Sequence, residues 1–208
     1  MKIPTKEECY QFIHEMKTLD HIAAHSFQVC RVALAVTDLL KDSPAGVRVL
    51  LNRELVMASA MLHDITKTRS LKTRERHAET GAKYLHEKGF PEVADIVRQH
   101  VSLDNFSETS PVNEIEIVNY ADKRVLHDKI ATLEDRMNYI MERYGTSPEY
   151  IQRLHRIWEI AIAQENKIFK NISFPPDLLV QYLVPGQAAS EFNAYKKWVL
   201  YNSSINAQ

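Results

Sequence analysis

Glycine is scarce: five in 208 residues, beside two cysteines and a formal net charge of only −1. Hairpins and sandwiches use glycine at their turns, whereas a helical bundle needs it mainly where helices end, so the shortage argues against an all-β fold. Cys9 and Cys30 are too few for a disulfide scaffold, and each lies in an amphipathic helical pattern, where a thiol packs as a small hydrophobe. Both are therefore expected to be free thiols in a reducing compartment. The balance of 26 basic and 27 acidic side chains supplies no overall field for nucleic acid or an acidic membrane. Apolar runs fall far short of the roughly 20 residues of a membrane span, and the first residues have no apolar signal core. The expectation is a cytoplasmic protein with no membrane partner.

What the chain has is helical periodicity. Thr5-Lys-Glu-Glu8 fits a capping box, and Cys9, Phe12, Ile13 and Met16 continue it at helical spacing. Helices are predicted over about 21–41, 52–63, 76–88, 91–101, 112–132, 133–144 and 148–169. The first of these is ended by Ser43-Pro-Ala-Gly46. The basic stretch Lys67 to Arg76 and the polar stretch Ser102 to Pro111 read as loops. Phe174-Pro-Pro176 interrupts the tail, which packs back on the bundle or mediates association. The predicted fold class is all-α, a helical bundle over residues 1–170 with a core at about 20–130, followed by an extension over 171–208.

Histidine is the other notable feature, with nine in the chain. His25 heads one core stripe, His63 ends the most apolar helix, and His100 completes the run Val93, Ile96, Val97. Asp122 interrupts a fourth stripe. One polar residue on a core stripe is usually a satisfied structural group. Four on four helices point to a shared partner, and a divalent cation is the commonest one for buried imidazoles and carboxylates. The adjacent pair His63-Asp64 is the focus, since both side chains can turn to one ion. A second pair, His127-Asp128, reads as surface pairing and capping.

The ordered set His25, His63-Asp64, Asp122, in the segments His25-Ser-Phe-Gln-Val-Cys-Arg-Val-Ala33, Leu62-His-Asp-Ile-Thr-Lys67 and Asn119-Tyr-Ala-Asp-Lys-Arg-Val125, resembles the HD superfamily of metal-dependent phosphohydrolases. His77 and His100 are similar to the further histidines of two-metal branches, and the resemblance covers about residues 20–130. The stretch through Arg136 and Tyr144-Gly145 resembles an extension of bacterial HDIG-type members. Thr66 stands where those members commonly have glycine; His21, one turn before His25, is an alternative ligand, but the Ser-Phe-x-Val pattern after His25 favours His25 and leaves His21 beside the site or on the surface.

The resemblance implies an HD-domain helical bundle with metal ligands His25, His63, Asp64, His77, His100 and Asp122. It implies one or two divalent ions, iron or manganese first, with zinc, cobalt, nickel or magnesium as alternatives; a nitrogen-rich donor set by itself suits transition metals better than calcium. Asp64 would bridge the two ions and orient a metal-activated hydroxide, with Lys67 beside it as a second catalytic residue. Lys67, Arg76, Lys123 and Arg124 adjoin the ligands and are the candidate phosphate binders, Lys72 and Arg74 candidate parts of a basic lid, and Glu79 a candidate acceptor for a ligand imidazole. The implied activity is hydrolysis of a phosphoester or phosphoanhydride of a nucleotide or similar small phosphorylated substrate, with nucleic acid disfavoured and a homodimer allowed. Two alternatives stand beside it: a di-iron HD-type oxygenase, and a non-catalytic ligand-sensing module.

Overall fold

The computed structural model describes residues 1–41 and 49–205, and the turn expected at Ser43-Pro-Ala-Gly46 lies outside them. The chain is all-α: ten α-helices and one two-stranded ribbon among the described residues. In order these are α1 (Lys6–Glu15), α2 (Asp20–Lys41), α3 (Arg53–Leu62), α4 (Lys67–Thr73), α5 (His77–Glu87), α6 (Pro91–Gln99), α7 (Glu114–Lys123), β1 (Val125–Leu126), β2 (Lys129–Ile130), α8 (Leu133–Tyr144), α9 (Pro148–Phe169) and α10 (Gln187–Ile205). A 3₁₀ segment, Pro176–Tyr182, lies between the last two.

The helix boundaries have local causes. Thr5 and Glu8 close the capping box of α1, and Asn52, Asn113, Thr132 and Ser147 cap α3, α7, α8 and α9 through their side chains. The core is built on α2 and α3, with α6 and α7 packed against them. Ala58, Ala60, Val56, Leu62, Val29 and Val32 are fully buried there. Such burial contributes about 1.5–3 kcal/mol for each larger side chain. α10 lies along α2 and α1, with Tyr195 buried, Lys196 paired with Asp20 at 3.0 Å, and Glu191 accepting from Tyr10 and Lys6.

Two local expectations are corrected. The basic segment after Asp64 is not an open loop: Lys67–Thr73 is helical, and it ends at Arg74 in the left-handed conformation (φ 60°), whose N–H donates to the Ser70 carbonyl. None of its residues is buried, so it carries no apolar stripe for periodicity to detect. The sixth predicted helix does not reach Thr132 either. It stops at Lys123, and residues 125–130 turn back as an antiparallel ribbon in which Val125 pairs with Ile130 and His127 adopts φ 57°. That ribbon sets one of the site's histidines. Among the described residues no helix is long and apolar enough to cross a membrane.

Candidate metal centre

Six side chains from five segments meet at one point. His25 comes from α2, His63 and Asp64 from the turn after α3, His77 from the start of α5, His100 from the end of α6, and Asp122 from the last turn of α7. They form two groups sharing one carboxylate. His25, His63 and Asp64 place their ligand atoms within 4.8 Å of one another, as do Asp64, His77 and His100. Asp122 joins the first group, its Oδ1 lying 3.0 Å from His25 Nε2 and 3.7 Å from His63 Nε2. Asp64 Oδ2 faces His63 Nε2 at 3.4 Å, and its Oδ1 faces His77 and His100 Nε2 at 3.2 and 3.6 Å.

The imidazoles are aimed by backbone carbonyls. His63 Nδ1 lies 2.8 Å from the Ala60 carbonyl and His100 Nδ1 2.6 Å from that of Val97, both three residues back. His25 Nδ1 lies 2.6 Å from the carbonyl of His127 in the ribbon. A carbonyl oxygen only accepts, so each Nδ1 carries a proton, which would leave each Nε2 to offer its lone pair to a cation at the centre. Glu79, an expected acceptor, instead pairs with Arg76 at 2.6 Å on the exposed side of α5.

The electrostatics agree with a cation-binding arrangement. Burial pushes the His100 imidazole down to about 4, which leaves it neutral. At His63 burial opposes the charged form, but Asp64 and Asp122 outweigh it and the net shift is upward. Burial likewise opposes ionisation of both carboxyls. Lys67 and His63 nevertheless hold Asp64, and His25 and Arg136 hold Asp122, well below the usual carboxylate range. At this centre the buried atoms His63 Nε2 and Asp64 Oδ1 have no hydrogen-bond partner among the described residues. Leaving such atoms unpaired costs about 1–3 kcal/mol each. A divalent ion between them would satisfy both, and the donor set of four imidazole nitrogens and two carboxylates fits one or two transition-metal ions.

The turn carrying His63-Asp64 is held by its neighbours. Thr66 has φ −104° and ψ 5°, so this backbone does not require a glycine. Its hydroxyl lies 2.8 Å from both the His77 carbonyl and Thr80 Oγ1, tying the turn to α5. Gly81 allows that approach: a Cβ there would stand 3.2 Å from Ile65 Cγ2 and Val97 Cγ1. Lys67 Nζ donates to Asp64 Oδ2 at 2.7 Å.

The other candidate phosphate binders lie differently. Lys123 borders the cavity, but its Nζ donates to Asn119 Oδ1 at 2.6 Å and to the Asn119 and His100 carbonyls. Arg124 is turned towards α9, bonded to Glu165 at 2.8 Å and to Tyr120 and the Ala131 and Pro176 carbonyls. Arg76 is exposed, and neither it nor Lys72, Arg74 or Arg124 borders the cavity above the ligands. That cavity measures about 660 Å³, with His21 at its edge. Its far side comes from α8 and α9 and includes Arg136, Met137, Tyr139, Tyr144, Tyr150 and Leu154. Sequence reasoning ties Arg136 and Tyr144 to a family extension but places none of these residues at the site, because they join it only when α8 and α9 fold over the ligands.

Fold and site together define a class: a helical bundle whose histidine and aspartate side chains converge in groups able to hold a metal ion. The chain belongs to the HD domain family, which matches residues 22–135. Among curated relatives, a tRNA (cytidine(56)-2'-O)-methyltransferase of Picrophilus torridus is 28% identical, the match covering 74% of this chain and 46% of that enzyme. A dihydroneopterin 2',3'-cyclic phosphate phosphodiesterase of Methanocaldococcus jannaschii is 31% identical, covering 74% of this chain and 66% of that enzyme. The chain thus spans about half the length of the first and just under two thirds of the second. No solved structure matches.

Proposed function

We propose that the chain is a metal-dependent phosphohydrolase acting on a nucleotide or a similar small phosphorylated molecule. One observation carries this reading: two ligand groups share Asp64 on the floor of a cavity large enough for such a substrate. Two divalent ions held there would neutralise charge on a phosphoryl oxygen and lower the pKa of water.

The chain's own residues do the rest. Asp64 offers Oδ2 to the group of His25 and His63 and Oδ1 to that of His77 and His100, so one carboxylate sets the spacing of both. Lys67 holds Asp64 by its Oδ2 and offsets its charge, which makes it a positioning residue. His63 has no exposure, and His100 and Asp64 almost none, so solvent reaches the floor from the side of His77 and Asp122. On the far wall, Tyr139, Tyr144 and Tyr150 present rings suited to stacking on a planar base. The relative named for a cyclic phosphate phosphodiesterase supports a phosphodiester among the bonds cleaved.

The test is a screen of nucleotides, 2',3'-cyclic phosphates and phosphoanhydrides with the protein loaded with manganese or iron, using His63→Ala and Asp64→Ala as controls. Phosphate-ester cleavage lost in both variants is the expected result. Activity surviving both substitutions overturns the site. Oxygen-dependent turnover of a polyol or phosphonate by the iron-loaded protein, without any ester cleavage, overturns the reaction in favour of an oxygenase.

A further inference from the structure

Most of the basic side chains that adjoin the ligands in sequence or space are already engaged. Lys67 is bonded to Asp64, Lys123 to Asn119 and His100, Arg124 to Glu165 and Tyr120, and exposed Arg76 to Glu79. Arg136 differs. Its side chain is only 13% exposed, it borders the cavity, and it makes no hydrogen bond among the described residues. Its single ion pair there is Nη2 to Asp122 Oδ1 at 3.7 Å, beyond hydrogen-bond reach, and its buried Nε has no partner. A largely buried guanidinium with unused donors is costly, and its planar fork is shaped to grip two oxygens of a carboxylate or phosphate. Lys67 and Lys123 border the same cavity and feel the charge of Arg136, so an incoming anion would relieve repulsion among three cations.

We infer that Arg136 binds the substrate's phosphoryl group, placing two of its oxygens over the ligand floor beside Asp122. This assignment rests on the phosphohydrolase reading above. Arg136 is in the first turns of α8, one residue beyond the family match, so the α8–α9 hairpin becomes a working part of the site and not only a cover for it. The three tyrosines of that hairpin would then receive whatever group the phosphate carries.

The experiment uses inorganic phosphate, the product common to many such substrates, as the probe. Its affinity for the manganese-loaded full chain is measured by calorimetry for wild type, Arg136→Gln and Arg136→Lys, with bound metal counted by mass spectrometry. Arg136→Gln should weaken phosphate binding by about ten- to a hundredfold, as expected for lost charge-assisted hydrogen bonds, with metal content unchanged. Arg136→Lys should fall between, since it keeps the charge and loses the fork. Wild-type affinity in Arg136→Gln overturns the assignment while leaving the phosphohydrolase reading intact, and so does loss of metal in step with phosphate, which would make Arg136 a support for Asp122. If the loaded wild type binds no phosphate and cleaves no ester, the functional reading itself fails and the assignment falls with it.

Discussion

Asp64 belongs to both ligand groups, while His25 and His77 belong to one each, and that asymmetry predicts a pattern of metal loss. Wild type should hold up to two ions. His77→Ala should retain the ion of the His25–His63 group, and His25→Ala that of the His77–His100 group. Asp64→Ala removes a donor from both and should retain less metal than either histidine variant. The thermal consequence follows from linkage: at a free metal concentration of about 100 times Kd, each ion stabilises the native state by about 2.7 kcal/mol. For a chain of this size that corresponds to a rise of about 5–11 °C in Tm per ion. Differential scanning fluorimetry with manganese or chelator, beside metal analysis of the same samples, reads both quantities. His77→Ala should show about half the wild-type metal-dependent shift, and Asp64→Ala the smallest. Asp64→Ala retaining as much metal as His77→Ala would refute the shared-carboxylate geometry.

Three further outcomes are expected. Lys167→Met should cost about 3–5 kcal/mol in urea unfolding, because it leaves Glu116 buried without the ammonium that lies 2.6 and 2.8 Å from its oxygens; the double change Lys167→Met with Glu116→Leu should recover most of that loss. Thr66→Val keeps the shape of the side chain but removes the bond to the His77 carbonyl, so it should cost about 1–3 kcal/mol by the same assay, and a change under about 0.5 kcal/mol would count against the tie between this turn and α5. The thiols should be inert in the native state: burial pushes Cys30 up to about 12 and raises Cys9 as well, so at pH 8 both are protonated. A chromogenic disulfide reagent should then report no thiol in native protein and two after denaturation in guanidinium, and rapid native reaction would contradict their burial.

The parts of this molecule legible in its sequence are those where one face of a helix is buried. α2, α3, α6, α7 and α9 have apolar stripes set by the core, and the polar residues interrupting such stripes, His25, His63, His100 and Asp122, come together as ligand-type side chains at the centre. α4 buries nothing and leaves no such record. The end of α7 was illegible for another reason: the turn depends on His127 in a left-handed conformation, where no glycine marks it. α10 is not legible as a helix in the tail, because Phe192, Tyr195 and Trp198 find their partners on α1 and α2, far away in the chain. The basic residues show the limit of proximity in sequence. Arg124 adjoins the ligand Asp122 but turns to α9, whereas Arg136, fourteen positions beyond that aspartate (136 − 122), returns to it in space.

The carbonyls that aim the imidazoles divide the ligands into two kinds. His63 and His100 are each oriented by a carbonyl of their own helical turn, three residues away, so orientation travels with the peptide. Moved together with its helix end into another protein, either residue would bring its tautomer along. His25 has no such independence, since its guide is the carbonyl of His127, 102 residues later. Only the closed chain can orient it, and the ribbon at 125–130 thereby acts as a proofreader of assembly: a bundle with every helix formed but that turn misplaced would present two imidazoles with their tautomers set and a third held only through Asp122, its Nδ1 without an acceptor.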